Sequence, residues 1–87
     1  MNAGEVIREA KRQLTELTGL AAETVSSLER DGDEAWVVTV EALELSRVPE
    51  TMDLIGSYEV TLSDDGELLA FHRRRRYQRA AAEEGGG

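Results

Sequence analysis

Asp65-Gly66 lies between two arms in which apolar residues alternate with polar ones, and this pattern constrains the chain more than any other. Tyr58, Val60 and Leu62 precede it; Leu69 and Phe71 follow it. Side chains on a strand point to opposite faces in turn, so a one-residue slip would move every apolar group to the wrong side. A two-residue Asp-Gly turn of type I′ predicts the pairs Leu62–Leu69, Val60–Phe71 and Tyr58–Arg73 on one face. Thr61–Ala70, Glu59–His72 and Ser57–Arg74 then occupy the other. The hairpin spans about Ile55 to Tyr77 and needs a further layer over its apolar face.

The rest of the chain supplies that layer. Trp36, Val38 and Val40 alternate with Val37, Thr39 and Glu41 across Ala35–Leu45, the clearest strand. Alternation slips near Ala42-Leu43, which implies a bulge or a locally apolar second face. Pro49, without an N–H, closes this strand, and residues 46–53 form a loop. Residues 20–30 mix helix and strand formers; the lean is to a short strand at Val25–Arg30, followed by the turn Asp31-Gly32-Asp33. Upstream, Ile7, Ala10, Leu14 and Leu17 recur at helical spacing with Val6 on the flank. Asn2 and Glu5 suit a capping box, and Gly19 suits a left-handed stop. The expected fold is α+β: an N-terminal amphipathic helix packed on a three- or four-stranded antiparallel meander. Residues 1–79 read as a single domain and 80–87 as a disordered C-terminal tail.

Composition narrows the function. The 87 residues include no cysteine, so neither disulfide nor thiolate chemistry is open to them. No apolar run approaches the roughly 20 residues of a membrane helix. His72 is the one histidine, on the polar face of its strand, with no evident partner for acid–base work. The acidic clusters Asp31, Asp33, Glu34 and Asp64, Asp65, Glu67 flank turn glycines and lack a calcium-loop pattern. The expectation is a non-enzymatic cytoplasmic protein with no cofactor, no metal and no catalytic residue.

Arg73-Arg74-Arg75-Arg76-Tyr77-Gln78-Arg79 is the sharpest local anomaly. It holds five of the ten basic residues in a chain of net charge −8, leaving −13 for the remainder. As a regular strand it would place Arg73, Arg75 and Tyr77 on the face of Leu69 and Phe71, with Arg74 and Arg76 turned outward. Glu41, Glu44 and Glu59 are natural cross-strand partners. Internal neutralisation, an acidic protein partner through bidentate arginine forks, and nucleic acid are the three readings. Acidic balance and sparse aromatics weigh against nucleic acid.

Trp36-Val37-Val38-Thr39-Val40-Glu41, Glu44, Arg47-Val48-Pro49, Asp53, Tyr58-Glu59-Val60, Leu62, Gly66 and Arg76-Tyr77 with Arg79 occur in this order. The set resembles the gas vesicle protein O family over roughly Thr24 to Arg79. Ala35 stands where that pattern has glycine, and Ser63 where aspartate is common. The resemblance implies an accessory protein of gas vesicle formation that acts by protein–protein contacts in assembly. Its implied partners are other gas vesicle proteins, accessory and shell, and its implied place is the cytoplasm or the vesicle itself. The alternative is a nucleic-acid-binding regulator of gas vesicle genes acting through the Arg73–Arg79 strand. Candidate partner-binding residues are Arg47, Pro49, Asp53, Arg74, Arg76, Tyr77 and Arg79. If the Ala35–Leu45 strand carries no bulge, Val37, Leu43 and Leu45 offer a homodimer contact.

Overall fold

A computed structural model of the chain describes residues 1–80. Helix α1 spans Ala3–Thr18 and is followed by strands β1 (Ala21–Asp31), β2 (Ala35–Leu45), β3 (Leu54–Ser63) and β4 (Leu68–Gln78). The strands pair in sequence order, each antiparallel to the last, as one four-stranded meander. The helix lies on one face of the sheet, over β1, β2 and β3. The α+β architecture expected from periodicity is the observed one, with four strands.

The helix begins where its cap says it should. Asn2 Oδ1 accepts from the Glu5 N–H at 2.9 Å, and Glu5 Oε1 accepts from the Asn2 N–H at 3.0 Å. These reciprocal bonds satisfy two of the backbone donors that a helix start leaves open. Gly19, at φ 75°, ends it in the left-handed region. The buried stripe is Val6, Ala10 and Leu14, not the expected Ile7, Ala10, Leu14 and Leu17. The helix beds along its i, i+4 row, and Leu17 stays 51% exposed beside the turn into β1. Val38, Val40, Ala42, Val60 and Leu62 face the stripe, and Tyr58 stacks on Phe71 with ring centroids 5.5 Å apart.

Three sequence expectations are corrected in the sheet. β1 is longer than Val25–Arg30 and starts at Ala21, with two register irregularities, between Ala22 and Thr24 and between Val25 and Ser27. In the last hairpin, Val60–Phe71, Tyr58–Arg73, Thr61–Ala70 and Glu59–His72 pair as expected, but Leu62 pairs with Leu68 and Ser57 with Arg75. The turn is not type I′, because Gly66 alone in it has positive φ, at 87°. Ser63 O accepts from the Gly66 N–H, and Ser63 Oγ accepts from the Asp65 and Glu67 N–H groups. That hydroxyl does what an aspartate carboxylate would do at the same place. The extra turn residue leaves Leu69 55% exposed, and Leu68 packs on the core instead. The slip foreseen near Ala42-Leu43 is a register shift between Leu43 and Leu45 against β3.

Candidate functional site

The arginine run does not alternate as a regular strand would. The register shifts between Ser57 and Tyr58, so that Ser57 pairs with Arg75, Tyr58 with Arg73, and Arg74 is the extra residue. A bulge of this kind reverses the facing of everything beyond it. Arg76 therefore joins Arg73 on the helix-covered side, and Arg75 and Tyr77 move to the open face. This corrects the expected division, in which Arg76 pointed out with Arg74 and Arg75 lined the core rim.

Glu44 is the focus on the helix-covered side. Its side chain is only 5% exposed, receives Arg76 Nε at 2.9 Å and Arg73 Nη1 at 3.2 Å, and accepts from Tyr58 Oη at 2.8 Å. Gly56 makes room for it, since a Cβ there would fall 2.0 Å from Glu44 Oε2. Burial first, then the hydrogen bond to Glu44, raise the Tyr58 phenol above the usual tyrosine range.

The open face is held by Glu41. Its carboxylate accepts from Ser57 Oγ at 2.5 Å, Tyr77 Oη at 2.6 Å and Ser26 Oγ at 2.7 Å, which draws together residues of all four strands. Burial pushes the Glu41 carboxyl up, but the three hydroxyl donors and the nearby Arg75 charge outweigh it and hold the group below the usual range. Tyr77 reaches across β3 to make its bond, and Arg75 lies over its ring, 4.6 Å from the centroid. Burial and the Glu41 charge push the Tyr77 phenol up to about 12. A shallow hollow of about 370 Å³ opens here between Ser26, Thr39 and the Arg74 and Arg75 stems. Arg74 pairs with Glu59 at 2.8 Å, and His72 Nε2 lies 3.5 Å from the same carboxylate.

A third cluster pins the loop between β2 and β3. Asp53, 5% exposed, accepts from the Arg47 N–H at 2.7 Å and from the Arg79 guanidinium at 3.2 Å. Arg79 also forks onto Glu23 at 2.8 and 3.0 Å, and its N–H donates to Asp53 O at 2.9 Å. Pro49 opens a 3-10 turn over Glu50–Met52.

Of the residues singled out in the sequence, Arg47, Pro49, Asp53 and Arg79 meet at the loop 46–53 end. Tyr77 anchors the open face, Arg76 serves Glu44 on the other face, and Arg74 stands apart on Glu59. Glu23, Ser26 and Ser57 were missed because polar residues in a strand give no sign of which neighbour they meet.

The fold and these clusters define a small helix-on-meander protein whose arginine run is paired largely with its own carboxylates. A family model described as "Gas vesicle synthesis protein GvpO" matches residues 1–83. Gas vesicle protein O of a Streptomyces species is 54% identical over 78 residues, 90% of this chain and 60% of that protein. Gas vesicle protein O of Haloferax mediterranei is 34% identical over 77 residues, covering 88% of this chain and 53% of the relative. Gas vesicle protein O1 of Halobacterium salinarum is 40% identical over 52 residues, covering 60% and 44%. The chain belongs to the gas vesicle protein O family, a gas vesicle synthesis family. It spans 44–60% of the length of these relatives. No solved structure matches it.

Proposed function

We propose that this chain is a non-enzymatic accessory factor of gas vesicle formation, acting in the cytoplasm by protein–protein contacts with other gas vesicle proteins. The observation that carries the reading is the internal use of its charge. Arg73, Arg74, Arg76 and Arg79 each hold a carboxylate of the same fold. A phosphate-tracking surface needs several cations free on one face, so the run favours the protein reading over the nucleic-acid one. Among the described residues no helix is long and apolar enough to cross a membrane.

The contact elements we assign are loop 46–53, braced by Asp53 and Arg79, and, apart from it, the half-exposed Arg74. Co-expression with each companion gas vesicle protein tests the reading. Stable co-purification with at least one is expected, and Arg74→Ala should weaken capture while leaving the circular dichroism spectrum unchanged. Failure to capture any companion at low salt would overturn it.

A further inference from the structure

We infer that Val48 is a docking knob: with Arg47 beside it, it fits an apolar pocket of a partner protein that carries a carboxylate at its rim. This rests on the protein-contact reading and supplies its anchor. Val48 is 99% exposed, at the tip of loop 46–53. A single exposed apolar side chain is ordinary on a protein surface. Here two further observations set it apart.

The first is that the loop is braced from both sides. Asp53 takes the Arg47 N–H, the Arg79 guanidinium ties Asp53 to Glu23 of β1, and Met52 and Asp53 N–H groups close back on Pro49 O and Glu50 O at 2.9 Å. A tip already fixed in place loses little conformational freedom when it is bound. The second is position. Of the six large hydrophobic side chains that stand exposed among the described residues, Leu17, Leu45, Val48 and Met52 belong to the end where α1 stops, β2 finishes and the loop turns. Apolar surface is gathered there, and Val48 projects from it.

The partner's charge follows from Arg47. Its backbone is held by Asp53, but among the described residues its guanidinium has no ion pair, a state it shares with Arg8 and Arg75, and of these three it alone stands next to the loop tip. A carboxylate at the pocket's edge would complete it.

The test titrates the full chain against whichever companion gas vesicle protein it co-purifies with. Burying a fully exposed valine corresponds to about a 10- to 100-fold gain in affinity. Val48→Ser is therefore expected to weaken binding by about that factor without moving the melting temperature, and Arg47→Glu to weaken it further in low salt. Leu69→Ser, at the opposite end, should bind as the parent does. Parent-like affinity of Val48→Ser for a companion that the parent chain holds would overturn the inference while leaving the protein-contact reading intact. Capture of no companion by the parent chain would overturn both. A parent dimer dissolved by Val48→Ser would assign the tip to self-association and overturn the pocket proposed here.

Discussion

The two faces of one sheet are closed by different means. On the helix-covered face, Val38, Val40, Val60 and Leu62 meet Val6, Ala10 and Leu14, all of them fully buried. On the other face no helix lies among the described residues, yet Ile55, Ser57 and Glu41 are almost as inaccessible. There the cover is Tyr77, which lies across β3 with its hydroxyl on Glu41 and Arg75 over its ring. Apolar burial on the first face is non-directional and tolerates small shifts. The second face depends on three short hydrogen bonds to one carboxylate, and each of them fixes a position. A small domain with room for one core can still order its second face if a charged group there is fully partnered.

Leu14→Ala strikes the helix-covered face at one of its two largest fully buried side chains. A loss of about 2–5 kcal/mol is expected from the cavity left behind, read by chemical denaturation. Glu41→Ala strikes the open face. It strips three hydroxyls of their acceptor, and a loss of about 1–3 kcal/mol is expected. If the second loss equalled the first, the open face would rank as a core in its own right. Gly56→Ala tests the seam near Glu44, because its Cβ also lies 2.8 Å from the Tyr58 ring. Overpacking of about 1–3 kcal/mol is expected, and a neutral result would show that Glu44 moves freely. Tyr77→Phe removes one bond and keeps the ring over β3, so about 1 kcal/mol is expected.

The smallest effect at neutral pH becomes visible in alkali. The Tyr77 phenol is raised in the folded chain to about 12. Its contribution is therefore complete below the ordinary tyrosine range near pH ~10 and is lost as pH rises through the folded value. Glu41 has the opposite sign: its carboxyl is depressed, so its contribution holds above the ordinary carboxylate range and is lost as pH falls through the folded value. Absorbance at the phenolate band should show late ionisation for both tyrosines, and the parent-minus-Tyr77→Phe difference isolates Tyr77. An ordinary midpoint in that difference would break the link between Tyr77 and Glu41.

Much of the fold was legible because it rests on local periodicity. The Asn2–Glu5 box, the Gly19 stop, the alternation through Val38 and Val40, and the central pairs Val60–Phe71 and Tyr58–Arg73 all follow from spacing. Glu44 and Glu59 were also legible as arginine-side carboxylates, since acidic residues on neighbouring strands are the nearest counter-charges, whereas Glu41 took three hydroxyls instead. In the last hairpin, what failed was anything beyond a bulge. One extra residue at Arg74 exchanged the faces of Arg75 and Arg76, and one in the last turn exchanged Leu69 for Leu68. Residues 81–87, read from sequence as most of a disordered tail, lie outside the described residues.

The sequence by itself determined the elements, their order and the family, because these depend on which residue types recur at which spacing. The tertiary structure alone decided which arginine meets which carboxylate, that Asp53 braces a loop through Arg79 and Glu23, and that Val48 is left bare at its tip. Those outcomes depend on register shifts and on contacts between residues up to 56 positions apart. Local pattern carries no record of such contacts, since a polar strand residue satisfies its own neighbourhood equally well facing either way.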